Sequence, residues 1–203
     1  MFSEYEVDTF VKIPAVSDSL KQLKKEFITT EAKFLDLSDH DFLSLVLMTP
    51  AVAIANANDN ISLFEEIALN KMARKMSKGG YFLKADPVER GMKFLIKGFA
   101  KWEEPFIGLI KLVMHSTFNK STVHTTLKNE GDVTFENFPL ELMHQPFILV
   151  RFLTAFFLQG HPEIVEEHKV SEVEYQKILE LGSKLGIDDL QVFKAFCTTF
   201  KIK

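Results

Sequence analysis

The stretch Phe42-Leu43-Ser44-Leu45-Val46-Leu47-Met48-Thr49-Pro50-Ala51-Val52-Ala53-Ile54-Ala55 is apolar nearly all round. A helix of that composition is either buried on most sides or embedded in a membrane. The run falls short of the roughly 20 residues that a membrane span needs, and Asp39, Asp41 and Asn56 flank it with polar groups. It therefore reads as a core helix. Pro50 removes one backbone donor inside it and predicts a kink.

A polar turn follows, Asn56-Ala57-Asn58-Asp59-Asn60, and then Ile61-Ser62-Leu63-Phe64-Glu65-Glu66-Ile67. Ser62 and Glu65 have the spacing of a capping box. The serine oxygen accepts from a free amide of the first turn, and the glutamate reaches back to the serine amide. The helix so opened carries Phe64, Ile67, Leu69, Met72 and Met76 as its apolar positions, with Gly79-Gly80 as its stop.

Outward from this hairpin the chain reads as helices throughout. Residues 1–16 form an N-terminal arm with at most a short helix. Ser17-Asp18-Ser19 starts a helix that runs to about Leu35. Gly80 to Ala85 is a connector, and Asp86-Pro87-Val88-Glu89 starts a helix with proline in its first turn and Glu89 closing a box. Arg90, Lys93, Lys97 and Lys101 give that helix a basic face, which is a solvated face or a surface for an anionic partner or membrane. The helix is expected to kink or restart at Pro105 and to run to about Phe118. Residues 119–134 read as a long polar loop with a short helix near 123–127, followed by a short helix near 135–143. A second strongly apolar helix runs from Phe147 to Leu158 and stops at Gly160-His161-Pro162. Ser171 and Glu174 then repeat the capping-box spacing, Gly186 closes that helix, and a last helix holds Val192, Phe193, Phe196 and Phe200. No segment alternates with a period of two, so the expectation is an all-α fold. It is a single compact helical domain, 1–203, of about eight or nine helices built from two similar helical hairpins, near 38–78 and 146–187.

Composition narrows the function. Hydrophobic residues make up 46% of 203 residues, enough for a sizeable core. The net charge of −4 argues against a general nucleic-acid binder. A single cysteine, Cys197, rules out a disulfide framework and fits a reducing compartment. Glu4, Glu6 and Asp8 stand where a signal peptide would carry apolar residues, so the expected location is cytoplasmic. The twenty phenylalanines are read as core filler, or alternatively as the lining of a cavity between helices that takes an apolar small molecule or lipid.

Set in register, Ser62 meets Ser171 and Glu65 meets Glu174, each after an apolar helix and a polar turn. With Ala57-Asn58-Asp59-Asn60-Ile61-Ser62-Leu63-Phe64-Glu65 and Glu166-Glu167-His168-Lys169-Val170-Ser171-Glu172-Val173-Glu174 as its two turns, and Lys184-Leu185-Gly186-Ile187 as its close, the chain resembles the TerB-like (tellurite-resistance) family. That family's turn reads Ala-Asp-Gly-x-Ile/Phe-x-x-x-Glu. Here its aspartate falls on Asn58 and Glu167, and its glycine on Asp59 and His168. The resemblance implies a non-enzymatic, stress-associated scaffold that meets a protein partner or membrane-associated complex. It also implies a divalent cation at the acidic turns, with Asn58, Asp59, Glu65, Glu167 and Glu174 as candidate ligands.

Read from the residues alone, the oxygen-rich first turn fails as an EF-hand, because Ile61 and Ile67 fall where glycine and the bidentate glutamate are required. The alternative for both turns is a helix cap. Glu141-Leu142-Met143-His144 is a lone Glu-x-x-His, and a di-iron bundle needs two. His115 and His124 have no partner pattern for haem. No phosphate-cradling glycine loop, nucleophile elbow or Cys-x-x-Cys occurs.

Overall fold

In the computed structural model, the described residues are 1–58, 60–79, 86–158 and 164–203. Asp59, the expected connector at 80–85, the expected stop at Gly160-His161-Pro162 and Glu163 lie outside them. The helices are α1 Glu4–Val11, α2 Pro14–Glu31, α3 Asp39–Leu47, α4 Thr49–Ala55, α5 Leu63–Met76, α6 Pro87–Lys97, α7 Phe99–Thr117, α8 Phe138–Met143, α9 Phe147–Phe157, α10 Glu172–Leu185 and α11 Gln191–Cys197. With α3–α4 and α6–α7 each counted as one interrupted rod, nine remain among the described residues, and the fold is helical as expected. One small addition is a two-stranded parallel ribbon, β1 His168–Val170 against β2 Phe200–Ile202, with His168 opposite Phe200. Phe200 therefore lies in a strand and not in the last helix.

The α3–α4 rod is the axis of the molecule. Every residue from His40 to Ala55 is buried. Around it, α3 is wrapped by α1, α2, α5, α6 and α7, and α4 by α7, α9 and α10. Each fully buried Leu or Phe of this rod contributes about 1.5–3 kcal/mol over its exposed state. The interruption falls at Met48, two residues ahead of Pro50. Proline cannot donate to the carbonyl four residues back, which is that of Val46. The Thr49 hydroxyl donates to that carbonyl instead, at 2.6 Å.

Other boundaries differ from the expectation for local reasons. α2 begins at Pro14, whose fixed φ suits the first helical position, and not at Ser17. Ahead of it α1 is a full helix opened by a capping box of Ser3 and Glu6. The 86–118 rod breaks at Gly98, and Pro105 sits inside α7 at an exposed position. Residues 123–127 are not helical. Short 3-10 turns occur instead at Lys120–Thr122 and Glu130–Asp132.

Most of the phenylalanines and Trp102 fill one contiguous core that runs from Phe2 to Phe200, while Phe34, Phe64 and Phe147 are exposed. Phe27, Phe42, Trp102 and Phe106 meet ring on ring between α2, α3 and α7, with centroids 5.0–5.8 Å apart. Phe157, Phe193, Phe196 and Phe200 do the same between α9, α11 and β2. No helix among the described residues is long and apolar enough to cross a membrane.

Candidate functional site

The two turns singled out in the sequence lie at one end of the rod. Both expected capping boxes form. Glu65 Oε2 accepts from the Ser62 amide at 2.7 Å and from its hydroxyl at 2.5 Å, while the Ser62 hydroxyl oxygen accepts from the Glu65 amide. Glu174 Oε2 accepts from the Ser171 amide at 2.6 Å. Each box satisfies amides that the first turn of a helix leaves without partners.

Two adjoining clefts flank the point where the end of α4 meets the start of α10. One, of about 340 Å³, has an apolar floor of Ile54, Phe157, Leu158, Ile178 and Phe200 and a rim that includes Glu166, Glu167 and Glu174. The other, of about 390 Å³, holds Asn56 and Ala57 of the first turn against Val173, Gln176 and Lys177 of α10. Of the candidate ligands, Glu167 and Glu174 therefore share a cleft. Asn58 is exposed on the first turn, Glu65 is half-buried at the start of α5, and Asp59 lies outside the described residues. Glu167 Oε2 is 2.6 Å from Lys201 Nζ on β2. Among the described residues, no group of three His, Cys, Asp or Glu side chains converges as a metal cage would.

Beside the second cleft, α7 and α10 are joined by an ion network. Lys177 and Lys184 of α10 reach Glu103 at 2.7 and 3.1 Å, and Lys184 also reaches Glu104 and Glu180. Burial disfavours the Lys184 charge, but the hydrogen bonds that its ammonium donates to these carboxylates outweigh it and raise its pKa well above the ordinary lysine value.

Several polar residues that were not singled out as sites turn out to be buried. His40 directs Nδ1 at Asp8 (2.7 Å) and Nε2 at the Met76 carbonyl (3.3 Å). Ser44 donates to the same carbonyl at 2.8 Å, so a carbonyl left open at the end of α5 is satisfied from α3. The His40 hydrogen bond, with help from Lys78, holds the Asp8 carboxyl below its ordinary pKa. Asp41 accepts from the Lys78 amide. Glu89 does not close a box with Asp86. Asp86 accepts from the Glu89 amide, while the Glu89 carboxylate pairs with Arg74 across α5 and α6.

Glu141, fully buried, accepts at Oε1 from the Thr126 amide, the Thr126 hydroxyl and the Leu127 amide, at 2.6–3.0 Å. It pins the long loop to α8. The lone Glu-x-x-His gave no hint of this, because the loop donors are unspecific in sequence. Burial pushes the Cys197 thiol up to about 12, so it is a packed side chain and not a poised nucleophile.

No family model matches the chain, and neither the curated proteins nor the solved structures contain a significant match.

Proposed function

We propose that this is a non-enzymatic, TerB-like helical binding protein that works from the end where its two polar turns lie. The observation that carries this reading is the meeting of α4 with α10, which sets the first turn and the second on adjoining clefts. The titratable groups around them cap helices or make ion pairs, which supports a recognition surface more than a reacting one.

A divalent cation is part of the proposal. The capping boxes occupy Oε2 of Glu65 and Glu174, and a carboxylate has capacity for more than one partner. Glu167 would have to leave Lys201 to join Glu174 in the cleft they share. Calorimetry and melting of chelator-treated protein with calcium, magnesium and manganese provide the test. The expected result is a heat of binding and a raised melting temperature, both weakened in Glu167→Gln. Absence of heat and of any shift removes the cation from the reading.

The apolar floor of Ile54, Phe157, Leu158, Ile178 and Phe200 favours a second reading, in which the cleft takes an apolar small molecule or lipid chain. Native mass spectrometry of the purified protein separates the two, since a co-purifying apolar mass supports the second.

A further inference from the structure

α5 and α6 lie side by side on α3 and form one layer whose outer face meets solvent. At one end of that face, the first turns of α5 expose Leu63 (69%), Phe64 (84%) and Ile67 (55%). These are large apolar side chains in an unusual position, grouped within five residues and protruding. Beyond them, the same face is cationic. Lys71, Arg74, Lys75 and Lys78 on or just after α5, and Arg90, Lys93 and Lys97 on α6, are all exposed.

The seven cations of this layer outnumber its four acids. Glu65 turns back into its capping box, Glu66 is half-buried on the first turn of α5, Asp86 is buried as a cap, and Glu89 is paired with Arg74. Lys78 pairs with Asp8 of α1, but among the described residues Lys71, Lys75, Arg90 and Lys93 make no salt bridge. A positive face therefore stands on a chain whose net charge is −4.

We infer that the α5–α6 face docks on an anionic lipid surface, with Leu63, Phe64 and Ile67 entering the headgroup region and the lysines lying over the lipid charges. An amphipathic surface helix that is apolar at one part and rich in lysine or arginine at another suits that boundary. An acidic protein is the rival occupant, and the side-chain types decide against it. Five of the seven cations are lysines, which protein interfaces deplete and whose mobile point charges suit a diffuse anionic plane. This inference does not depend on the reading of the turns and clefts.

Co-sedimentation of the full chain with vesicles tests it. One set is phosphatidylcholine alone, and the other contains about a third phosphatidylserine, at low and at physiological salt. Binding is expected to be at least about tenfold tighter to the anionic vesicles and to weaken with salt. Phe64→Ser with Ile67→Ser should weaken it about tenfold or more, because the buried apolar area is lost. Lys71→Gln and Lys93→Gln should each weaken it about fivefold. All four positions are exposed, so unchanged circular dichroism melting is expected and checks that the variants fold. Equal binding to both vesicle types, or none, overturns the inference. So does selective binding to polyglutamate by the wild type with no binding to vesicles, which would point to an acidic protein instead.

Discussion

Gly182 sits in the middle of α10 with the Phe193 ring pressed against it. A Cβ added there would lie 2.2 Å from that ring. Alanine in place of glycine favours a helix by about 1 kcal/mol, whereas forcing a buried ring aside costs about 1–3 kcal/mol. Phe193 is itself held against Phe157, so it has little room to yield. Gly182→Ala is therefore expected to destabilise the protein by up to about 2 kcal/mol in urea unfolding, and Phe193→Leu in the same chain should recover part of the loss. Glu141 gives a second test at this scale. Glu141→Ala leaves the Thr126 and Leu127 amides without their acceptor and is expected to cost about 2–3 kcal/mol. Glu141→Gln keeps an oxygen for them and loses only the charge assistance, so its cost should be about 1 kcal/mol. Equal losses for the two variants would show that the loop does not depend on that oxygen.

Between elements, the tie with the largest reach joins α1 to α9. Arg151 Nε and Nη2 donate to the two oxygens of Glu6 at 3.0 Å each, across 145 positions of sequence. Burial pulls the Glu6 carboxyl upward, but the hydrogen bonds from Arg151 and Ser3 outweigh it and hold it at about 2, against an ordinary 4.5. A carboxylate whose pKa is depressed by folding contributes stability above its unfolded pKa and loses it as pH falls through the folded one. The melting-temperature gap between wild type and Arg151→Gln should thus be widest above about pH 5 and close between about pH 4.5 and 2. A gap that stays constant over that range would show that the pair contributes no pH-dependent stability. How far these elements were legible follows from how local their causes are. The boxes at Ser62 and Ser171 depend on residues three apart and form as read, and the same spacing at Ser3 and Glu6 opens the one short helix that the reading allowed within the N-terminal arm. Prolines mark disturbed helices less reliably. Pro50 displaces the break to Met48, while Pro105, at an exposed position, is carried within α7.

Across the whole molecule, the all-helical architecture was legible because the apolar residues of 42–55 and 147–158 are too dense for any exposed arrangement. The structure packs α4 directly on α9. The β1–β2 ribbon was not legible, since three-residue strands show no alternation and their pairing joins residues about thirty apart. Nor was the cationic layer of α5 and α6 visible as one surface. The sequence places its charges on two helices, and only their shared seat on α3 turns them the same way. The candidate turns were legible as caps, while the cleft floor beside them gathers Ile54, Phe157, Ile178 and Phe200 from four separate elements.

Cys197 offers a clock for how often the C-terminal end comes apart. It is the chain's sole thiol, buried on α11, with a pKa near 12. At pH 8 only about one such group in ten thousand is ionised, so a thiol reagent must wait for α11 to lift away from the core. Modification in native buffer is expected to run several orders of magnitude slower than for the denatured chain and to accelerate steeply with added urea. Each labelled molecule would record a single opening, and the rate measures the breathing of this helix without any mutation. Rapid modification without denaturant would mean that the end carrying Phe193 and Phe196 is loosely latched.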